Sequence, residues 1–215
     1  MKRREFIYAA GAVIGSGAFG PALAHPMDYA AVLSTSDSPE GTNLNYDSSI
    51  PDYQQPEERL PREVDLEEYL EPGEIHVYPH DFSLLWTLPG KRAIRYSVGI
   101  GRPGLYHDGE FYVGAKREWP SWTPTPAMIA RNPSAYERYA DGMPGGPYNP
   151  LGSRALYLFD DTGRDTYLRI HGTNDPSTIA RRVSNGCARL TNDLIIGLYN
   201  RVPLDTRVVL HPADA

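Results

Sequence analysis

The sequence predicts a mostly β domain with one short helix toward its C-terminal end. Three observations lead there. The 215 residues include 20 Gly and 20 Pro, punctuation that suits many turns and disfavours a helical bundle. The 15 Tyr, together with numerous Val and Ile, are strand formers. The apolar residues fall in short runs bounded by turn residues, and a helical stripe is sustained only near residues 194–202.

Taken in order, residues 1–24 place Lys2, Arg3 and Arg4 before a weakly apolar run, Ile7 to Phe19, with small Ala22 and Ala24 behind it. That is the pattern of an export signal. Arg3-Arg4 followed by Phe6 and Ile7 resembles the twin-arginine type. The run is too short to span a bilayer as an ordinary helix, and no later run is long enough. No integral membrane domain is therefore expected after cleavage. Residues 25–71 are polar, acidic and Pro-rich, as in "STSDSPEGTNLNYDSSIPDYQQPEERLP", and read as a flexible spacer with at most a docked turn around "REVDLEEYL".

The folded domain is expected over 72–212. "EIHVYP", "SLLWTL" and "AIRYSVG" predict a three-stranded meander, with "HD" and "PGK" as its turns. Gly- and Pro-heavy connections follow, with a short helix expected in "AMIARNPSAYERYA". "RALYLF" and "TYLRIH" predict two more strands joined by the turn "DDTGRD". Thr191 or Asn192 is placed to cap a helix whose stripe is Leu194, Ile195, Leu198, Tyr199 and Val202, and Pro203 ends it. "RVVLH" is a closing strand.

The net charge is −6, and removal of residues 1–24 leaves 18 basic and 26 acidic residues, or −8. With no basic cluster, nucleic acid is not an expected partner. His76, His80, His107 and His211 lack metal-ligand spacing, so no metal or other cofactor is expected.

Cys187 is the single cysteine, so an exported chain keeps it free or pairs it with another chain. A nucleophilic thiol needs a base within reach and backbone N–H donors for the oxyanion it generates. His171 stands sixteen residues earlier, at the end of a predicted strand. Gly172 and Gly186 flank the pair and permit close backbone approach.

"HGT", a spacer and "SNGCARL" together resemble the signature of the L,D-transpeptidase catalytic domain, also called YkuD. His171, Gly172, Ser184, Gly186, Cys187, Arg189 and Leu190 fill its positions; "TPTP" at 123–126 and "YNPLG" at 148–152 resemble upstream segments. Many members carry His where this chain has Asn185.

The resemblance implies an L,D-transpeptidase-like β-sandwich that cross-links peptidoglycan stem peptides, third residue to third residue. In that scheme Cys187 is the nucleophile and His171 the base, its imidazole oriented by the Gly172 carbonyl. N–H groups of Asn185, Gly186 and Cys187 receive the oxyanion, a thioester forms and D-alanine leaves. Arg189 is the expected carboxylate clamp, with Ser184, Tyr148, Asn149 and Trp119 as further substrate contacts, and Trp122 is expected to overhang the site beside Trp119. The implied location is the periplasm or cell envelope. Alternative acceptors are an envelope-protein amine, a free D-amino acid, or water, the last making a carboxypeptidase.

Papain-like hydrolases place Cys before His, and sortase-like enzymes use a much longer gap with a later Arg. A non-catalytic wall-binding module would leave the His171–Cys187 motif without a purpose.

Overall fold

The structure is a computed structural model that describes Tyr53 and residues 55–213. The expected export signal and residues 25–52 of the expected spacer lie outside the described residues. Among those described, the strands are β1 (Arg62–Asp65), β2 (Ile75–Tyr78), β3 (Ser83–Leu88), β4 (Arg92–Ser97), β5 (Ile100–Gly101), β6 (Gly109–Glu118), β7 (Arg154–Phe159), β8 (Asp165–His171), β9 (Arg182–Ser184), β10 (Ala188–Arg189) and β11 (Arg207–Leu210). The α-helices are α1 (Pro126–Arg131), α2 (Pro133–Tyr136) and α3 (Asn192–Arg201), beside three short 3-10 turns. The mostly β class is as expected.

Nine strands form one mixed sheet in the order β1-β4-β3-β2-β11-β6-β7-β8-β10, and β5 pairs with β9 in a two-stranded ladder. β2, β3 and β4 are the predicted antiparallel meander, with Val77 opposite Leu84 and Trp86 opposite Ile94. The sheet curls back on itself. Gly99, just after β4, exchanges backbone hydrogen bonds of 2.9 and 2.8 Å with Arg189 on the far edge. The two wings thus face a common core, which Leu84, Ile94 and Tyr96 enter from one side and Leu156, Ile170 and Leu190 from the other. Each such side chain, fully buried, contributes about 1.5–3 kcal/mol of transfer free energy.

The helix α3 seals this core. Ile195, Leu198 and Val202 are fully buried, and Leu194 and Tyr199 pack at the margin, as the stripe predicts. Its cap differs from expectation. Thr191 stands at the N-cap without a side-chain cap bond, and Asn192 is the first helical residue, its side chain turned inward to another task.

The spacer needs one correction. It was expected to run to residue 71, but Arg62–Asp65 pair antiparallel with Arg92–Arg95 as edge strand β1. Only Val64 is even half-buried there; Arg62, Glu63 and Asp65 are exposed. The strand is held by ladder hydrogen bonds and by Arg92 to Glu63 at 2.6 Å, not by apolar burial. It leaves no alternation to detect.

Candidate active site

Parallel pairing of β10 with β8 sets Arg189 beside His171 and Ala188 beside Ile170. Side chains alternate along a strand. Ile170 and Ala188 therefore point into the core, while His171 and Arg189 point to the other face. Two residues back on each strand, Arg169 and Cys187 face the same way as His171 and Arg189. The sixteen-residue spacing follows from this topology, because two parallel neighbours need a crossover of a dozen residues or more.

Cys187, His171, Arg169 and Arg189 line one cleft of about 530 Å³, inside the usual range for a small-ligand site. The imidazole is buried, 3 % exposed, and its Nδ1 lies 2.5 Å from the Gly172 carbonyl oxygen. A carbonyl only accepts, so Nδ1 carries the proton and Nε2 keeps its lone pair. Burial pushes the His171 pKa down to about 3; the nearby Arg189 charge adds to this, and the Gly172 carbonyl opposes it. Burial also raises the Cys187 thiol, against the pull of an Arg169 backbone N–H and the Arg189 guanidinium. At rest the pair is therefore a neutral thiol and a neutral imidazole. The thiol donates weakly to the Tyr167 carbonyl, 3.9 Å away. Tyr167 holds φ = 62° where the β7–β8 register slips, a bulge that turns this carbonyl toward the sulfur.

Asn192 supports the histidine from below. Its Oδ1 accepts from the Ser153 N–H at 2.9 Å, and the Ser153 hydroxyl donates to the Asn192 carbonyl at 3.1 Å. A Cβ on Gly172 would stand 2.3 Å from that Oδ1, and one on Gly152, 2.2 Å. Both positions need glycine because the amide is packed directly on the backbone.

The loop before the nucleophile departs from expectation. Ser184, 1 % exposed, donates its hydroxyl to the Cys187 carbonyl at 2.7 Å and accepts from the Gly186 N–H at 3.2 Å. Ser184 braces the turn, and its hydroxyl engages the Gly186 N–H that was expected to face the oxyanion. The N–H groups of Asn185 and Cys187 have no acceptor among the described residues. Gly186 has φ = 126°, and a Cβ there would meet the Leu105 carbonyl oxygen at 2.9 Å.

Three expected contacts lie elsewhere. Asn149 is 1 % exposed and donates to the Met143 and Pro144 carbonyls at 3.3 and 3.0 Å, so it fixes a loop. Tyr148 is 73 % exposed and does not line the cleft. Trp119 is half-buried away from the cleft, its carbonyl packed so tightly on Gly145 that only glycine fits. Trp122 lines the cleft in its place.

Trp122 belongs to a lid. Its backbone and that of Met143 exchange hydrogen bonds of 2.9 and 2.7 Å, closing residues 122–143 into a loop that holds α1 and α2. Thr125 caps α1 and Asn132 caps α2, each with proline next in the chain. The Trp122 ring meets Tyr136 and Tyr139 edge-on at 6.2 and 5.8 Å. Asn185 fastens the lid to the nucleophile loop. Arg131 Nη1 donates to its Oδ1 at 2.8 Å, and its Nδ2 donates to the Tyr136 hydroxyl at 3.0 Å. Sequence reasoning missed Arg131 and Tyr136, whose place depends on how the lid folds. Arg169 was within its reach, two residues before His171 on one strand face.

The chain matches the L,D-transpeptidase catalytic domain (YkuD) family over residues 72–210. It is 37 % identical over 136 residues to the probable L,D-transpeptidase ErfK/SrfK of Escherichia coli strain K12, covering 62 % of this chain and 39 % of that one. It is 45 % identical over 95 residues to a putative L,D-transpeptidase of Fuscovulum blasticum, covering 43 % and 44 % of the two chains. The matches thus span about two-fifths of the length of these curated relatives. Among solved structures, a Brucella melitensis protein named a probable carnitine operon oxidoreductase is 44 % identical, with 76 % of this chain and 98 % of that chain covered and a TM-score of 0.49.

Proposed function

The chain belongs to the L,D-transpeptidase catalytic-domain family, and on that premise we propose that it cross-links peptidoglycan stem peptides through a thioester on Cys187. The observation that carries this reading is the neutral Cys187–His171 pair in one cleft, with Nδ1 tied to the Gly172 carbonyl and Nε2 left to accept a proton. Cys187 Sγ attacks the carbonyl of the third residue of a tetrapeptide stem while its proton passes to His171 Nε2. The imidazolium is steadied by the Gly172 carbonyl, and the oxyanion by the Asn185 and Cys187 N–H groups. The C–N bond breaks, His171 returns the proton to the departing amine, and D-alanine leaves. The side-chain amine of a second stem's third residue then attacks the thioester. His171 takes the amine's proton and the thiol is restored. No ATP is required, which suits an exported enzyme. The leader-like residues 1–24 support a place in the periplasm or cell envelope.

The test is incubation of the protein with disaccharide-tetrapeptide, with product masses as the readout. Expected are a dimer joined between third residues and one D-alanine released per link. Tripeptide without dimer at high acceptor concentration would make the protein a carboxypeptidase. A stem attached to a lysine-bearing envelope protein would make it a wall anchor.

The pH dependence of acylation follows from the site. A base works only when unprotonated, and with its pKa pushed down to about 3, His171 stays unprotonated through mild acid. Single-turnover acylation by a thiol-reactive β-lactam, followed by intact mass, should be flat from about pH 8 to pH 5, with no break at the ordinary histidine value of about 6.5. A tenfold fall per unit below pH 6.5 would mean that His171 titrates as a solvated imidazole.

A further inference from the structure

The run Asp165-Thr166-Tyr167-Leu168-Arg169 on β8 carries an ion pair that a regular strand does not favour. Regular pleating sets residues four apart about 13 Å from each other. Yet Arg169 donates from Nη1 and Nη2 to the two carboxylate oxygens of Asp165, at 2.6 and 2.8 Å. The guanidinium has not travelled along the strand to do so. It lies over the ring of Tyr157, the cross-strand partner of Arg169, 3.9 Å from the centroid. Asp165 has been brought up to it instead.

The bulge does this. β7 and β8 pair at Phe159–Asp165 and at Tyr157–Arg169, so Leu158 alone stands opposite Thr166, Tyr167 and Leu168. The Thr166 hydroxyl fills the gap in the ladder, donating to the Leu158 carbonyl at 2.6 Å and accepting from the Leu168 N–H at 3.2 Å. Tyr167 takes up the contraction with φ = 62°. A bulky residue adopts that left-handed conformation only where its surroundings impose it. The Tyr167 ring is 71 % exposed, so packing does not impose it. The backbone is held instead: the Tyr167 N–H donates to Asp165 Oδ1 at 2.8 Å, the same oxygen that receives Arg169 Nη1.

The contracted segment faces the nucleophile. The pairing of Ala188 with Ile170 puts Cys187 beside Arg169. The Tyr167 carbonyl accepts from the thiol at 3.9 Å, and the Arg169 backbone N–H is directed at the same sulfur and favours its thiolate. One stretch of backbone thus serves the sulfur before and after it gives up its proton. Asp165 itself does not line the cleft.

We propose that Asp165 is a positioning residue for the reaction: its carboxylate ties the Tyr167 N–H to the Arg169 guanidinium and so holds the bulge that aims the Tyr167 carbonyl and the Arg169 N–H at the Cys187 sulfur. This rests on the reading of Cys187 as nucleophile above and extends the site by a residue behind the cleft wall.

The test separates the backbone conformation from the side chains that impose it, using the full chain. Tyr167→Gly and Tyr167→Val both remove the ring and leave the ion pair in place, but glycine takes positive φ freely and a β-branched residue resists it. Single-turnover acylation by a β-lactam should be slower in Tyr167→Val than in Tyr167→Gly by roughly 10- to 100-fold, the cost of a small misplacement of a reacting group. The pH profile of Cys187 alkylation by iodoacetamide, followed by intact mass, should lie higher in Tyr167→Val, because the thiolate loses a backbone donor. The Asp165, Arg169 and Arg189 charges are common to both variants and cancel. Asp165→Ala should slow acylation in the unmodified background, and much less in the Tyr167→Gly background, where the conformation no longer needs the carboxylate. Should Asp165→Ala fail to fold for want of a partner to Arg169, the comparison of the two Tyr167 variants still decides. Equal acylation rates in Tyr167→Gly and Tyr167→Val, or an undiminished cost of Asp165→Ala in the Tyr167→Gly background, would overturn the inference and leave Cys187 as the nucleophile. No acylation of the unmodified protein would overturn that parent reading, and the inference with it.

Discussion

Cys187→Ala is expected to fold normally and to form no acyl-enzyme. The half-buried thiol donates weakly to the Tyr167 carbonyl at 3.9 Å and is approached by the Arg169 backbone N–H. Its loss should change stability by no more than about 1 kcal/mol. The backbone that shapes the site is braced by Ser184, not by the sulfur. The chemistry has no second route, since the chain has no other cysteine. Removal of a covalent nucleophile typically costs a factor of roughly 10⁶, which puts D-alanine release below detection. Intact mass after incubation with a β-lactam, alongside a thermal melt, checks both halves. A folded Cys187→Ala protein that releases D-alanine at the normal rate would end the assignment.

His171 is expected to be worth a factor of roughly 10²–10⁴ in acylation, the range of a positioned base. The thiol is held protonated by burial, so without a base little thiolate exists at neutral pH. His171→Ala leaves a hole, since the ring is 3 % exposed. His171→Gln is the better probe, because its amide can still donate to the Gly172 carbonyl while being unable to take up a proton at neutral pH. The variant should also gain a pH dependence that the unmodified protein lacks. With hydroxide as the sole means of removing the thiol proton, its rate should rise about tenfold per unit toward the raised thiol pKa. A His171→Gln enzyme with an unchanged rate and a flat profile would show that another group accepts the proton.

What could be read from the sequence divides along the range of the interactions. The meander of Ile75–Tyr78, Ser83–Leu88 and Arg92–Ser97 was legible because each strand pairs with its neighbour in the chain. The stripe of Ile195, Leu198 and Val202 was legible because helical period is local. His171 and Cys187 were legible as a motif. The edge strand Arg62–Asp65 was not, since three of its four side chains are exposed. Nor was the use of the Gly186 N–H by Ser184, which depends on the exact form of the turn. Both Trp119 and Trp122 were expected over the site, but which of the two lines the cleft, and the fastening of Arg131 and Tyr136 to Asn185, arise from the folding of the lid. No periodicity encodes such contacts.

The strand β11 has a place in the sheet that bears on how the protein is made. It lies between β2 and β6, parallel to one and antiparallel to the other, so that Val208 faces both Ile75 and Phe111. A nascent chain that has not yet produced Arg207–Leu210 holds two half-sheets, β1–β4 and β6–β8, with open edges where they should join. The Cys187 region is synthesised before that join can be made. The thiol and its base therefore depend on a strand that touches neither of them, and the core and the cleft are completed together once Arg207–Leu210 has joined the two half-sheets.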